Sequence, residues 1–217
     1  MPGRTIPLIS NSIYHIYNRG SEKQNIFRQS RDYNRFIKTF FYYQFIGPKL
    51  SFSKFKKSNL RLFKPDDDKK IVEILCFCLM PNHFHFLVRQ LKENGISVFI
   101  SQLSNSYTKY FNTKYDRVGA LLQGVFKATI IESDEQFIHV SRYIHLNPIV
   151  SGISNNLTLY QWSSYLEYIR GPNIYCSTKE ILSFFSSRKE YKKFIDDQID
   201  YGTSLELLKH QTIDTHY

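Results

Sequence analysis

The chain has 217 residues, 42% of them hydrophobic, and a net charge of +10. That length suits one domain with at most a small appendage, and the apolar content suits an ordinary buried core. No run approaches the roughly 18 apolar residues that span a bilayer, and the opening Met1-Pro-Gly-Arg-Thr-Ile-Pro7 lacks the apolar stretch of a secretory signal, so a soluble cytoplasmic protein with no membrane partner is expected.

Taken in chain order, Ser12–Asn18 alternates apolar and polar residues before Arg19-Gly20 and reads as a first strand. Arg31–Phe45 places Phe36, Ile37, Phe40, Phe41 and Phe45 at helical spacing, and Gly47-Pro48 stops it. Lys49–Lys70 holds eight Lys or Arg with three Asp and reads as a long basic excursion with room for a short helix. Ile71–Met80 has a strand composition, Pro81-Asn82 is a tight turn, and His83–Arg89 returns as the second arm of a hairpin. Gly95–Tyr115 carries a helical stripe from Ile96 to Phe111, and Tyr115–Gly119 is a turn. Gln123–Glu132 reads as a fourth strand. Ser133-Asp134 caps a helix expected to run to about Leu146, where Pro148 ends it. This order predicts an α+β, ferredoxin-like (RRM-like) four-stranded antiparallel sheet with helices on one face and the other face open. A composition shift near Gly171-Pro172 separates a core of residues 1–170 from a helical extension, 171–217. Cys76, Cys78 and Cys176 are too few for a disulfide framework or a four-cysteine zinc site and read as reduced packing residues.

The charge is unevenly spread. Residues 1–170 hold 23 of the 29 Lys and Arg against 12 acids, whereas 171–217 hold 6 against 7. A basic surface mixed with aromatics suits a nucleic-acid partner, single strands included. Arg19, Lys109, Lys127 and Arg142 are reasonable phosphate contacts, although each also reads as a solvated cation.

Two constellations carry chemistry. In Met80-Pro-Asn-His-Phe-His-Phe-Leu-Val88, strand alternation sends His83 and His85 to one face and Phe84 and Phe86 to the other. Two adjacent imidazoles make a metal half-site, though half-buried histidines with ordinary partners give the same pattern. On the helix from Asp134, Tyr143 and Asn147 lie one turn apart on one face. A phenol there can act as nucleophile, and an Asn amide oxygen can complete a site for a divalent ion that also holds a phosphate; Asn147 equally suits a plain helix cap. His139, one turn before Tyr143, reads as packing, a phosphate contact or a proton acceptor. His145 points around the helix and reads as structural. Tyr107 and Tyr110 have no ligand-type residue one turn on and read as core or DNA-stacking. No acidic cluster for a two-metal nuclease and no Gly-rich phosphate loop is present.

The combination resembles the HUH-type single-tyrosine transposases, in particular the REP-associated tyrosine transposase branch of the IS200-like family. The matching segments are Tyr14-His-Ile-Tyr-Asn-Arg-Gly20, Met80–Val88, Tyr107-Thr-Lys-Tyr-Phe-Asn112, Leu122-Gln-Gly-Val-Phe-Lys127, Arg142-Tyr-Ile-His-Leu-Asn-Pro148 and Gln161-Trp-Ser-Ser-Tyr165. The resemblance implies that His83, His85 and Asn147 hold Mg2+ or Mn2+. It implies that Tyr143 attacks a single-stranded DNA phosphate beside a hairpin, forms a 5′-phosphotyrosine link and frees a 3′-hydroxyl. A monomer and a homodimer both fit. Against this transposase stand a non-catalytic single-stranded nucleic-acid-binding module, an inactive domesticated descendant, and a small hydrolase using metal-bound water.

Overall fold

The computed structural model describes residues 8–45, 51–54 and 66–199. The chain divides into two compact units, residues 1–74 with 81–131 and residues 75–80 with 132–217. The tail beyond Gly171 therefore shares a unit with the helix that begins at Asp134.

The first unit is built on strands β1 (Ile13–Arg19), β3 (His83–Gln90) and β4 (Lys127–Ile131), with β2 (Val72–Met80) completing a sheet of order β2-β3-β1-β4. β1 runs antiparallel to β3 and to β4, and its register sets Arg19 opposite His83 and Tyr17 opposite both His85 and Lys127. Helices α1 (Ser30–Tyr43) and α2 (Gly95–Tyr115) pack together over one face. Alternation explains which face. Tyr14, Ile16, Phe84, Phe86 and Val88 are fully buried, and Phe36 of α1 stands 5.2 Å from the Phe84 ring and 6.2 Å from Phe86. Phe99 of α2 meets Phe86 at 6.0 Å. Burying each such phenylalanine is worth about 1.5–3 kcal/mol.

The two helices are also tied by a buried carboxylate. Asp32 accepts from Lys114 Nζ at 2.5 Å, Tyr115 Oη at 2.6 Å, Tyr110 Oη at 2.9 Å and the Arg28 amide at 3.0 Å. Burial pushes its pKa up, but these donors outweigh it and hold the carboxyl below its ordinary range. Tyr107 is core, its hydroxyl donating to the Ile26 carbonyl at 2.5 Å.

Two boundaries differ from the sequence reading. β4 begins at Lys127 and not at Gln123, because Gly124 adopts φ +56° and interrupts the extended run. The helix from Asp134 continues through Pro148 to Val150. Proline removes one amide donor, and in a last turn that costs little of the ladder. Most of the Lys49–Lys70 excursion lies outside the described residues; within it, residues 52–54 form a helical turn that buries Phe52, and Asp67–Lys69 form a 3-10 turn.

In the second unit α3 (Asp134–Val150) is followed by α4 (Tyr165–Ile169), α5 (Lys179–Leu182) and α6 (Arg188–Asp196). Residues 162–164 pair with the outer edge of β2: the Leu79 amide donates to the Trp162 carbonyl at 2.9 Å and the Ser164 amide to the Phe77 carbonyl at 3.0 Å. That covers backbone groups that would otherwise be an open sheet edge. Cys76, Cys78 and Cys176 are buried and form no disulfide. Among the described residues no helix is long and apolar enough to cross a membrane.

Candidate functional site

The face of the sheet opposite α1 and α2 presents His15, Tyr17 and Arg19 from β1, His83 and His85 from β3, and Lys127 from β4. The His83 and His85 rings are 4.9 Å apart and nearly perpendicular. Each has its Nδ1 engaged by a neighbour. Asn82 Oδ1 lies 2.6 Å from His83 Nδ1, and His15 Nε2 lies 2.9 Å from His85 Nδ1 with the two rings stacked at 5.1 Å. These bonds leave Nε2 as the second nitrogen of each ring. Burial lowers His15 to about 4. Burial, followed by repulsion from His15 and His83, holds His85 well below 6.5. Both are therefore neutral imidazoles at pH 7, the protonation state a metal requires.

Among the described residues no three His, Cys, Asp or Glu side chains are grouped to hold a metal ion. The donor set on this face thus amounts to two imidazoles, and an ion held there must take its remaining ligands from amide, water or phosphate oxygens. Such a set is open, unlike the closed four-ligand set of a structural site.

Arg19 Nε bonds Gln123 Oε1 at 2.5 Å, and a cleft of about 760 Å3 lies between Tyr17, Arg19, Gln123, Val125 and Lys127. Tyr17 is 37% exposed and stands 5.8 Å from His85. Gly20 closes this end of β1. Its amide donates to the Asn82 carbonyl at 2.7 Å, and a Cβ on it would fall 2.1 Å from the Gln24 carbonyl oxygen, so only glycine fits. Lys109 is exposed on α2, in the helical layer, and is not brought to the histidine face.

In the second unit, Tyr143 is 52% exposed on α3. Asn147 Nδ2 donates to the Tyr143 carbonyl at 2.8 Å, which leaves the amide Oδ1 as the acceptor end. Ser133 Oγ caps the helix by accepting from the Gln136 amide at 3.1 Å. His145 is fully buried on the other side, bonded at both ring nitrogens, to Tyr191 Oη and to Ser164 Oγ, each at 2.8 Å. Burial lowers its pKa to about 3. Arg142 lies over the Phe194 ring at 4.2 Å and bonds His139 Nδ1 at 2.6 Å, so both side chains are engaged in holding α6.

The sequence reading singled out neither His15 nor Asn82. A signal existed for each: His15 and Tyr17 alternate in phase with Arg19, and Asn82 directly precedes His83. The missing information was the register that brings β1 beside β3.

Comparison with known proteins follows the same lines. A family model described as "Transposase IS200 like" matches residues 49–147, a span that contains His83, His85, Tyr143 and Asn147. The solved structure of a REP-associated tyrosine transposase bound to a REP hairpin aligns with a TM-score of 0.54 and 14% identity, covering 78% of this chain and 86% of that one. A second, described as a candidate transposase from Deinococcus radiodurans R1, aligns at 11% identity over 66% of this chain and 95% of that one, with a TM-score of 0.35. No curated protein matched the sequence.

Proposed function

We propose that this chain, whose residues 49–147 match the IS200-like transposase model, is a metal-dependent single-stranded DNA endonuclease and strand transferase acting through Tyr143. The observation that carries the reading is the pair of imidazoles on the sheet face opposite α1 and α2, each tied at Nδ1, an arrangement that suits Nε2 as the ligand nitrogen. The REP hairpin held by the solved structural neighbour supports a hairpin-bearing strand as substrate here.

In this reading His83, His85 and the Asn147 amide oxygen hold a divalent ion, Mg2+ or Mn2+. Such an ion polarises the scissile phosphate and favours ionisation of a nearby phenol. Tyr143 Oη attacks the phosphorus, and the bond from phosphorus to the 3′ oxygen breaks. The phenolic proton passes to solvent, the departing 3′ oxygen takes up a proton, and the phosphate stays esterified to Tyr143 on its 5′ side. Attack by a 3′-hydroxyl reverses the step and restores the phenol. The ester conserves the energy of the phosphodiester, so no nucleotide is consumed. Arg19 and Lys127 hold backbone phosphates across this face, and Tyr17 offers a ring to a base.

The test incubates the full chain and Mn2+ with single-stranded oligonucleotides carrying palindromic repeats from the DNA flanking the gene, together with a library of hairpins with randomised flanks. A covalent protein–DNA band on a denaturing gel is expected for the wild type, absent with chelator and with Tyr143→Phe. No band from the wild type on either set, or a band that survives in Tyr143→Phe, removes the catalytic reading. The second reading, a binding module without chemistry, is favoured by the exposed Tyr17 between two cations. It predicts salt-sensitive DNA binding that His83→Ala and chelation leave untouched.

A further inference from the structure

We propose that the helical layer of the first unit carries a second site, which binds a phosphate group in a cleft of about 780 Å3 lined by Arg31, Arg35 and Lys38. These residues are spaced by four and three positions along α1 and share one face. Like charges one turn apart destabilise a bare helix, and among the described residues the cleft lining contains no carboxylate to offset them. The cleft lies among the helices, across the sheet from His83 and His85, and is not part of the candidate catalytic face.

Arg35 is the central observation. It is only 8% exposed. Its Nη2 donates to Ser53 Oγ at 2.8 Å, but its buried Nε has no partner among the described residues. The guanidinium is held between rings, 4.4 Å from the Phe52 centroid and 5.2 Å from Tyr110. Asp32, three residues back on the same helix, is taken up by Lys114, Tyr110 and Tyr115. A buried cation without an anion is costly, and a donor left unpaired adds to that cost. A phosphate in the cleft supplies the missing counter-charge. It presents several acceptor oxygens to the guanidinium fork and accepts from the Ser53 hydroxyl, while the exposed Arg31 and Lys38 hold its outer oxygens.

A nucleic-acid backbone and free orthophosphate present the same chemistry, and the exposed rim cations favour the backbone. The inference stands whether or not Tyr143 is a nucleophile. The experiment measures two quantities on the full chain: saturable heat of binding of inorganic phosphate against chloride at equal ionic strength, and the salt dependence of affinity for a fluorescent hairpin oligonucleotide. The variants are Arg35→Gln, checked for folding by circular dichroism, and the surface pair Arg31→Gln with Lys38→Gln. A control pair outside the cleft is Lys92→Gln with Lys189→Gln.

The expected result is phosphate binding weakened about tenfold or more in both cleft variants. The surface pair should also lower the salt slope of DNA binding by about 1.4–1.8, two contacts at 0.7–0.9 each, while the control pair leaves it unchanged. Phosphate binding displaced by DNA assigns the site to nucleic acid. Phosphate binding that DNA does not displace, with an unchanged slope, assigns it to the free anion. No saturable phosphate binding together with a slope equal to that of the control pair overturns the proposal, as does phosphate binding that survives in both cleft variants.

Discussion

Replacing His15 by leucine tests the claim that the second ring nitrogen of His85 is set by its neighbour. With Nε2 of His85 as ligand, its Nδ1 carries the proton and donates to His15 Nε2 at 2.9 Å. His85 is only 5% exposed, so water cannot replace the lost acceptor. An unsatisfied buried donor costs about 1–3 kcal/mol, a cost the tautomer with its proton on Nδ1 must then carry. The metal affinity therefore falls by about 10- to 100-fold, or roughly 1.4–2.7 kcal/mol. Leucine should not disturb the sheet, since position 15 lies opposite Leu87 and Thr129. Isothermal titration with Mn2+ on chelator-treated protein measures the loss, with the melting temperature as a fold control. His15→Gln restores an acceptor and is expected to recover most of the affinity. Equal Mn2+ affinity for His15→Leu and wild type refutes the assignment.

Asp32→Asn leaves Lys114 without its counter-charge and is expected to destabilise the chain by about 3–5 kcal/mol in urea unfolding. Because Asp32 titrates below 3.8 when folded, its contribution is present above that value and fades as pH falls through the lower folded pKa; Asp32→Asn should flatten this acid limb. His145 is neutral in the fold down to about 3, whereas an unfolded imidazole protonates near 6.5. Stability is therefore nearly full above pH 6.5 and declines as pH falls toward 3, with about 2 kcal/mol lost to this group between pH 6.5 and 4.5. A His145→Gln variant should show a correspondingly shallower acid loss, and identical pH profiles would contradict it. Gly20→Ala drives a Cβ into the Gln24 carbonyl and is expected to cost about 1–3 kcal/mol by thermal melting, with a further fall in adduct yield at limiting Mn2+ as Asn82 shifts.

Much of this fold is legible because its strands alternate strictly. Phe84 and Phe86 face α1 and α2, so His83 and His85 face away, as period-two reading requires. Local chemistry is less faithful at the ends of elements. Gly124 shortened β4, and Pro148 did not stop α3, because a proline in the last turn sacrifices only one bond. Nothing local in the sequence singles out Asp32. Its role depends on Tyr110, Lys114 and Tyr115 arriving from a segment about eighty residues away, and no local pattern encodes that meeting.

The cations show why charge alone assigns so little. Arg19, Arg35 and Arg142 are indistinguishable as residue types, yet their surroundings give them three different tasks. Arg19 sits at an open cleft beside Lys127, where its charge remains available to a polyanion. Arg142 is taken up by the Phe194 ring and His139, and its charge serves to hold α6. Arg35 is buried between rings with an unsatisfied nitrogen, the arrangement that most needs an incoming anion. A neutralising substitution should therefore read out differently at each. At Arg19 it should weaken DNA binding and lower the salt slope, at Arg142 it should lower stability, and at Arg35 it should weaken phosphate binding about tenfold or more. The sum of +10 predicts an attraction to nucleic acid, but only the groups facing each guanidinium decide which of them meets it.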